Sequence, residues 1–432
     1  MSGHSSISAH PGSSQNRGWI VTFAGTGINL ALGVLYAWSI ISNQIAKEWG
    51  WSETQTALPY SIAIAVFAVA MVLAGRLQDK VGPRLVATLG GVFCGVGFII
   101  SSLSQSLAGL VIGFGVLAGT GIGFGYASAT PPAVKWFPPA RTGFIAGLVV
   151  AGFGLASVYI APMANYLLGK VGIQNTFLLL GVAFLAAVVL LAQLLKNPPA
   201  GYKIQAGPSI PKAEAKGEVP TAPTSMDYEW HEIIRTPQFY LLWVMFVCAS
   251  GAGLMIIGKL ARIVDLQAGI KAGFIFVALL AVGNAAGRIV AGVLSDKIGR
   301  TWTMFSVFVF QAVLMFLLRG LNTYSTLFLA SVFIGFNYGA NLSVFPSATK
   351  DYFGMKNFGV NYGCVFTAWG VGGILGPLLS GWIFDTSQNF NTAYLIASFC
   401  LLIAAGLTFA THAPKAKAEE KILRKAALHK EC

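Results

Sequence analysis

Arg288 lies inside the apolar run that opens VGNAAGRIVAGVLSDKIGR, residues 282–300. A guanidinium at the centre of a membrane helix costs about 2.5 kcal/mol or more, so such residues face a cavity or a partner and mark an ion or substrate path. Arg288 precedes Asp296 by eight residues, about 12 Å at the helical rise of ~1.5 Å per residue. Snorkelling to the surface is the plain alternative, and the distance is long for it. All five histidines, His4, His10, His231, His412 and His429, fall outside the apolar runs, and Asp351 and Asp385 stand at run ends. No Asp, Glu or His is therefore expected at Arg288's depth. A buried cation without a permanent acid is a vacant anion site, and the planar guanidinium fork suits a carboxylate. Asn284 lies one turn earlier on the same face. It can serve the same ligand or simply bond a neighbouring helix.

The elements that must carry Arg288 follow from composition. The chain has 432 residues, 55% hydrophobic and 10% charged. Soluble domains carry about 25% charged residues, so the expected solvent is a lipid bilayer, and the 51 glycines fit close helix packing in membranes. The net charge of +13 is scattered between apolar runs and forms no basic patch interleaved with aromatics, which excludes a nucleic-acid binder. The five cysteines have no near neighbours in sequence and form no disulfide framework, CxxC motif or zinc site. No metal or cofactor is expected. Residues 1–16 are polar and lack the apolar core of a signal peptide.

Twelve stretches reach the ~20 apolar residues of a membrane helix: 18–42, 55–77, 84–105, 107–132, 142–168, 174–195, 237–258, 271–294, 302–319, 324–348, 358–384 and 391–411. The fold class is an all-α integral membrane protein of 12 transmembrane helices. The expected division is an N-terminal tail 1–17, a six-helix bundle 18–195, a Pro-rich linker 196–236, a second six-helix bundle 237–411 and a tail 412–432. Of the 28 Lys and Arg, six (Lys47, Lys170, Lys259, Arg262, Lys271 and Arg319) fall on one side. All the rest except Arg288 fall on the other, which also holds both termini and the linker. The bias predicts a multi-pass protein of the inner (plasma) membrane with both termini cytoplasmic. The tail KAKAEEKILRKAALHK reads as a solvated segment or a basic amphipathic surface helix.

The halves echo each other. Gly75…Asp79-Lys80-Val81-Gly82-Pro83-Arg84 and Gly292…Asp296-Lys297-Ile298-Gly299-Arg300 both read G-x-x-x-D-K-x-G after the second helix of their half. Repeated halves around a central site are a common transporter construction. This pattern resembles the major facilitator superfamily. The resemblance implies two pseudo-symmetric six-helix halves, and a charge network of Asp79, Arg84, Asp296 and Arg300 that gates the cytoplasmic side without touching substrate.

Tyr36, Tyr126, Tyr338, Phe366 and Trp369 fall in helices expected to line a central cavity; each alone fits packing as well as ligand contact. The stretches GVLYAWS, KWFPPAR and FNYGANLSVFPS, with the arginine of span eight, resemble the oxalate–formate antiporter family, itself similar to the animal monocarboxylate transporters. That resemblance implies that Arg288 binds a substrate carboxylate inside an aromatic box. The oxalate exchanger carries a lysine in a TAKG-like motif of span eleven, where this chain reads Thr367-Ala368-Trp369-Gly370. One cation neutralises a monoanion and leaves a dianion under-compensated, which favours small monocarboxylates of the lactate or pyruvate type. The expected function is a secondary transporter, proton-coupled, acting as a monomer. A carboxylate exchanger is the alternative, and a non-transporting membrane sensor a remote one. The chain lacks the nucleophile–base pair or paired acids of a membrane enzyme.

Overall fold

The computed structural model describes residues 11–138, 141–199, 202, 227–354 and 357–414. Most of the expected linker (203–226), the basic stretch of the C-terminal tail and the first ten residues lie outside the described residues.

The described chain is all helical. Span one is interrupted: α1 (Pro11–Leu32) runs through a 3-10 turn, Gly33–Ala37, into α2 (Trp38–Trp49). Then follow α3 (Glu53–Val81), α4 (Pro83–Ser102) and the short α5 (Leu107–Leu110), which passes through a π-helical stretch, Val111–Ala118, into α6 (Gly119–Val134). Next come α7 (Thr142–Ala192), the single-turn α8 (Trp230–Ile233), α9 (Pro237–Ala268) and α10 (Gly273–Ile298). The last four are α11 (Arg300–Leu318), α12 (Tyr324–Phe353), α13 (Phe358–Ser387) and α14 (Asn391–Ala410). Among the described residues, eleven helical segments are long and apolar enough to span a bilayer. One of them, Phe144–Ala192, has 49 residues, about twice the length that crosses a ~30 Å core. Gly172, at φ 77° and ψ 178°, breaks α7 in its course and makes it two crossings, giving twelve.

Three sequence-based boundaries need correction. Span one starts earlier and ends later than 18–42. Span seven extends ten residues past 258, so Lys259, Arg262 and Asp265 belong to α9 and not to a loop. Glu53 is the first residue of α3 and is buried, so the spans do hold acids, though at their ends. Hydropathy misses these turns because their charges lower the window average while pairing with one another in three dimensions.

The repeat is structural as well as sequential. Gly82 and Gly299 close α3 and α10 with φ of 88° and 87° and ψ of 160° and 161°. A side chain at such a φ is strained, which explains the glycine of each D-K-x-G. Each glycine then starts the next helix, α4 or α11.

The tightest packing lies between α10 and α12. Gly283 and Gly287 on α10 face Gly335 and Gly339 on α12, each pair spaced by four. A Cβ on any of them would collide with the backbone of Val332, Phe336, Leu280 or Asn284 respectively. Without a hydrophobic force between helices in lipid, such backbone contact is what holds them. It fixes Asn284 and Arg288 on α10 relative to Tyr338 on α12. α9 and α14 set Cys248 near Cys400, a proximity not visible in the spacing of the cysteines.

Candidate functional site

Arg288 is ten residues, about 15 Å, from the end of α10 at Ile298. It leans across to α7, where its Nη1 donates to the Val150 carbonyl at 3.1 Å. Gly154 on α7 gives it room: the guanidinium lies 3.6–3.7 Å from where a Cβ would stand. Its Nε donates to Asn284 Oδ1 at 3.1 Å. The Tyr126 side chain lies beside the guanidinium. Among the described residues no carboxylate pairs with it. Neutral acceptors orient the fork and leave its positive charge uncompensated. Asn284 is fully buried, and its Nδ2 makes no hydrogen bond within 3.5 Å among the described residues, with the Tyr36 side chain beside it. Its Oδ1 aims the arginine while its amide protons remain to be used.

The structure brings all seven residues singled out for binding into one cluster. The 3-10 turn carries Tyr36 into the interior, where its hydroxyl lies 3.2 Å from that of Tyr338. A 3-10 stretch within a longer helix re-aims side chains relative to the regular turn. Trp369 Nε1 donates to the same Tyr338 hydroxyl at 2.8 Å. Tyr338 thus links α12 and α13 to the first span. Trp369 stacks on Phe366 at a centroid distance of 5.1 Å and an interplanar angle of 17°. Three rings that sequence reasoning missed complete the box. Phe67 on α3 touches Tyr126, Phe366 and Trp369, at 5.4, 6.4 and 5.1 Å. Phe153 on α7 sits edge-on between Tyr36 and Tyr126, 5.2 Å from each. Tyr362 on α13 lies 5.6 Å from Phe366. Tyr362 is one turn before the flagged Phe366, Phe153 is near no residue singled out from sequence, and neither stands out in an aromatic-rich chain.

The two ends of the bundle are held differently. At the end carrying the α2–α3 and α9–α10 loops, charges join the halves. Lys259 Nζ donates to Glu53 Oε2 at 2.5 Å, to the Glu53 carbonyl at 2.6 Å and to Thr56 Oγ1 at 2.7 Å. Arg262 lies 3.2 Å from the other Glu53 oxygen and over the Phe384 ring. Lys47 reaches Asp265 at 2.8 Å, as does Lys271. Asp385 accepts from the Glu53 and Thr54 amides at 2.8 and 2.9 Å, capping α3 from the opposite half. Both bonds use the free donors of a helix N-terminus.

At the other end the two D-K-x-G loops bond within their own halves. Arg300 donates to Asp296 at 2.7 Å and to Asp351 at 2.8 Å. Arg84 donates through Nε and Nη2 to the Gln193 carbonyl. Asp79 is exposed. Among the described residues no ion pair joins the halves here.

The profile of the Major Facilitator Superfamily matches residues 19–267 and 263–430. The chain belongs to the major facilitator superfamily. It is 32% identical over 371 residues to the uncharacterized MFS-type transporter YhjX of Escherichia coli, covering 84% of this chain and 88% of that one. It is 29% identical to the oxalate:formate antiporter of Oxalobacter formigenes, over 91% of this chain and 90% of the relative. Human monocarboxylate transporter 11 is 25% identical over 89% and 81% of the two chains. Among solved structures, a bacterial homolog of the human lysosomal transporter Spinster, inward-facing and unoccupied, superposes with a TM-score of 0.67 at 16% identity. It covers 93% of this chain and 98% of that one. At that identity the likeness speaks for the major facilitator fold alone. Superfamily membership makes this a multi-pass membrane transporter and accounts for the duplicated D-K-x-G turns.

Proposed function

We propose that the protein is a secondary active transporter of small monocarboxylates, lactate or pyruvate in type. Arg288 takes the carboxylate, the rings pack the short carbon skeleton, and Asn284 Nδ2 donates to a neighbouring hydroxyl or keto oxygen. One observation carries the reading: the Arg288 guanidinium is hydrogen-bonded to neutral acceptors, and to no carboxylate among the described residues, inside an aromatic-walled site. No surrounding ring adds a second cation, and Trp369 fills one wall with a neutral indole. A monoanion is neutralised there, whereas a dianion leaves a net charge in low dielectric. The name of monocarboxylate transporter 11, and formate in the name of the antiporter of Oxalobacter formigenes, fit that ligand class, whereas oxalate in the latter name is the dianion that the charge argument disfavours.

The mechanism is alternating access by a monomer in the inner (plasma) membrane, both termini and the linker cytoplasmic, with the two six-helix bundles rocking about the site. In that orientation the structure is closed outside and unlatched inside. Asp79, Arg84, Asp296 and Arg300 are the inner gate, and they cross-pair when the outer end opens. Binding raises the rate of reorientation because a bare buried cation is costly to move through the closed state. Proton-coupled uptake is the first reading of the energetics. Exchange is the second, favoured by the lack of any acid at Arg288 to carry the proton.

Uptake of labelled L-lactate, formate and oxalate into proteoliposomes, with and without an inward proton gradient, tests this for wild type and Arg288→Ala. Lactate uptake driven by the gradient and lost in the variant supports the first reading. Uptake only against preloaded anion supports exchange, and oxalate transport at the rate of lactate overturns the charge argument.

A further inference from the structure

We infer that the cleft between α1, the start of α4 and the end of α7 is a headgroup site for an anionic glycerophospholipid. This is independent of the transported substrate and rests on the membrane fold alone. The cleft encloses about 540 Å³. Arg17, Arg84 and Lys196 line it, and no carboxylate does among the described residues. None of the three cations forms an ion pair among the described residues.

The place suits a headgroup. The membrane-crossing segments here begin at Asn16 and Pro83 and end at Ala192. Arg17 and Arg84 are therefore the second residues of two of these segments and Lys196 follows the end of the third, so all three stand at one end of the apolar lengths, at the level of lipid phosphates. Apolar side chains at the same cleft face outward: Ile20 is 48% and Leu194 47% exposed, which suits the start of acyl chains. The cationic field is kept at full strength by a local arrangement. The end of a helix carries partial negative charge on its free carbonyls. Arg84 spends Nε and Nη2 on the Gln193 carbonyl at the end of α7. This satisfies that carbonyl, offsets the helix end and leaves Arg17 and Lys196 to the ligand.

One more polar group is waiting. Asn197 lines the cleft, and its buried Oδ1 has no hydrogen-bond partner among the described residues. An acceptor beside three cations fits a ligand that is anionic at one atom and donates a hydroxyl at another. A phosphodiester with a glycerol headgroup, as in phosphatidylglycerol, has that combination. Phosphatidylcholine has neither net charge nor a donor. Basic pockets at this level between helices are suited to such headgroups.

The test titrates the detergent-solubilised full chain with short-chain phosphatidylglycerol, short-chain phosphatidylcholine and inorganic phosphate, reading bound ligand by native mass spectrometry and the thermal midpoint. Phosphatidylglycerol should bind and raise the midpoint, with the other two inert. Each cation near the surface is worth about 5-fold in affinity. Arg17→Gln with Lys196→Gln should then lower phosphatidylglycerol affinity about 25-fold. Lys297→Gln with Lys350→Gln removes equal charge at the same end of the bundle and should leave it within 2-fold. Asn197→Leu should reduce preference for phosphatidylglycerol over phosphatidic acid. Equal loss in both double variants would reduce the effect to diffuse charge and overturn the site. Competition by inorganic phosphate would make it a soluble-anion site and overturn the lipid assignment. The midpoints without lipid show whether each variant is folded.

Discussion

Replacing Glu53 by Gln should open the end of the bundle that the structure shows closed. Lys259 is 1% exposed and its ammonium has three acceptors, two of them on Glu53 and one on Thr56. The substitution keeps size and both backbone and Thr56 acceptors but removes the counter-charge. Stripping one partner from a buried pair costs about 3–5 kcal/mol. Two surviving acceptors put this case at the low end, about 3 kcal/mol. Once the halves part, Lys259 is hydrated and the penalty vanishes, so the cost falls on the closed form alone. At about 1.4 kcal/mol per decade, the closed-to-open ratio should fall about 100-fold. Spin labels at Asn175→Cys and Asn322→Cys, in a background without native cysteines, report on this. Both positions are exposed at the closed end, Asn175 just past the Gly172 break of α7 in one half and Asn322 in the loop between α11 and α12 in the other. Electron–electron resonance should show a longer distance population in Glu53→Gln, absent or minor in the parent. Glu53→Gln combined with Lys259→Met removes both charges and should restore the short distance. An unchanged distribution in the single variant would refute the latch. A double variant as open as the single would refute the charge argument specifically.

Other outcomes follow from the central site. Arg288→Lys keeps the charge but loses the fork and the reach to Val150, and lactate transport should drop at least tenfold, as read from initial uptake rates. Trp369→Lys supplies a second cation; oxalate uptake should rise relative to lactate, and no change in that ratio would sink the role given to Trp369. Tyr338→Phe leaves the buried Trp369 N–H without its acceptor, at a cost of about 1–3 kcal/mol, readable as a lower thermal midpoint. Gly339→Val forces side-chain atoms into the Asn284 backbone, and overpacking of this kind costs about 1–3 kcal/mol or more. Its thermal midpoint should fall further than that of Gly406→Val, where a Cβ meets open space.

The sequence by itself determined the solvent and the plan. An excess of apolar residues over charged ones demands lipid, helices of membrane length follow from backbone hydrogen bonding in that solvent, and a twice-written D-K-x-G turn declares the repeat. Arg288 was legible as a cation placed deep in a membrane helix, because a charge in an apolar run stands out from its neighbours. Membership of the facilitator superfamily was legible from those turns. The tertiary structure decided what one-dimensional patterns cannot carry. Glu53, Lys259 and Asp385 are scattered charges at span ends until folding sets them across one interface. Phe67 and Phe153 look like any other membrane phenylalanine, because a ring's role in a box depends on its direction, which hydropathy does not record. Asn284 was visible as a neighbour of Arg288 by helical spacing, but its orientation of the guanidinium and its unpaired amide depend on how closely α12 approaches. That approach is set by four glycines whose missing side chains matter only when the facing backbone is in place.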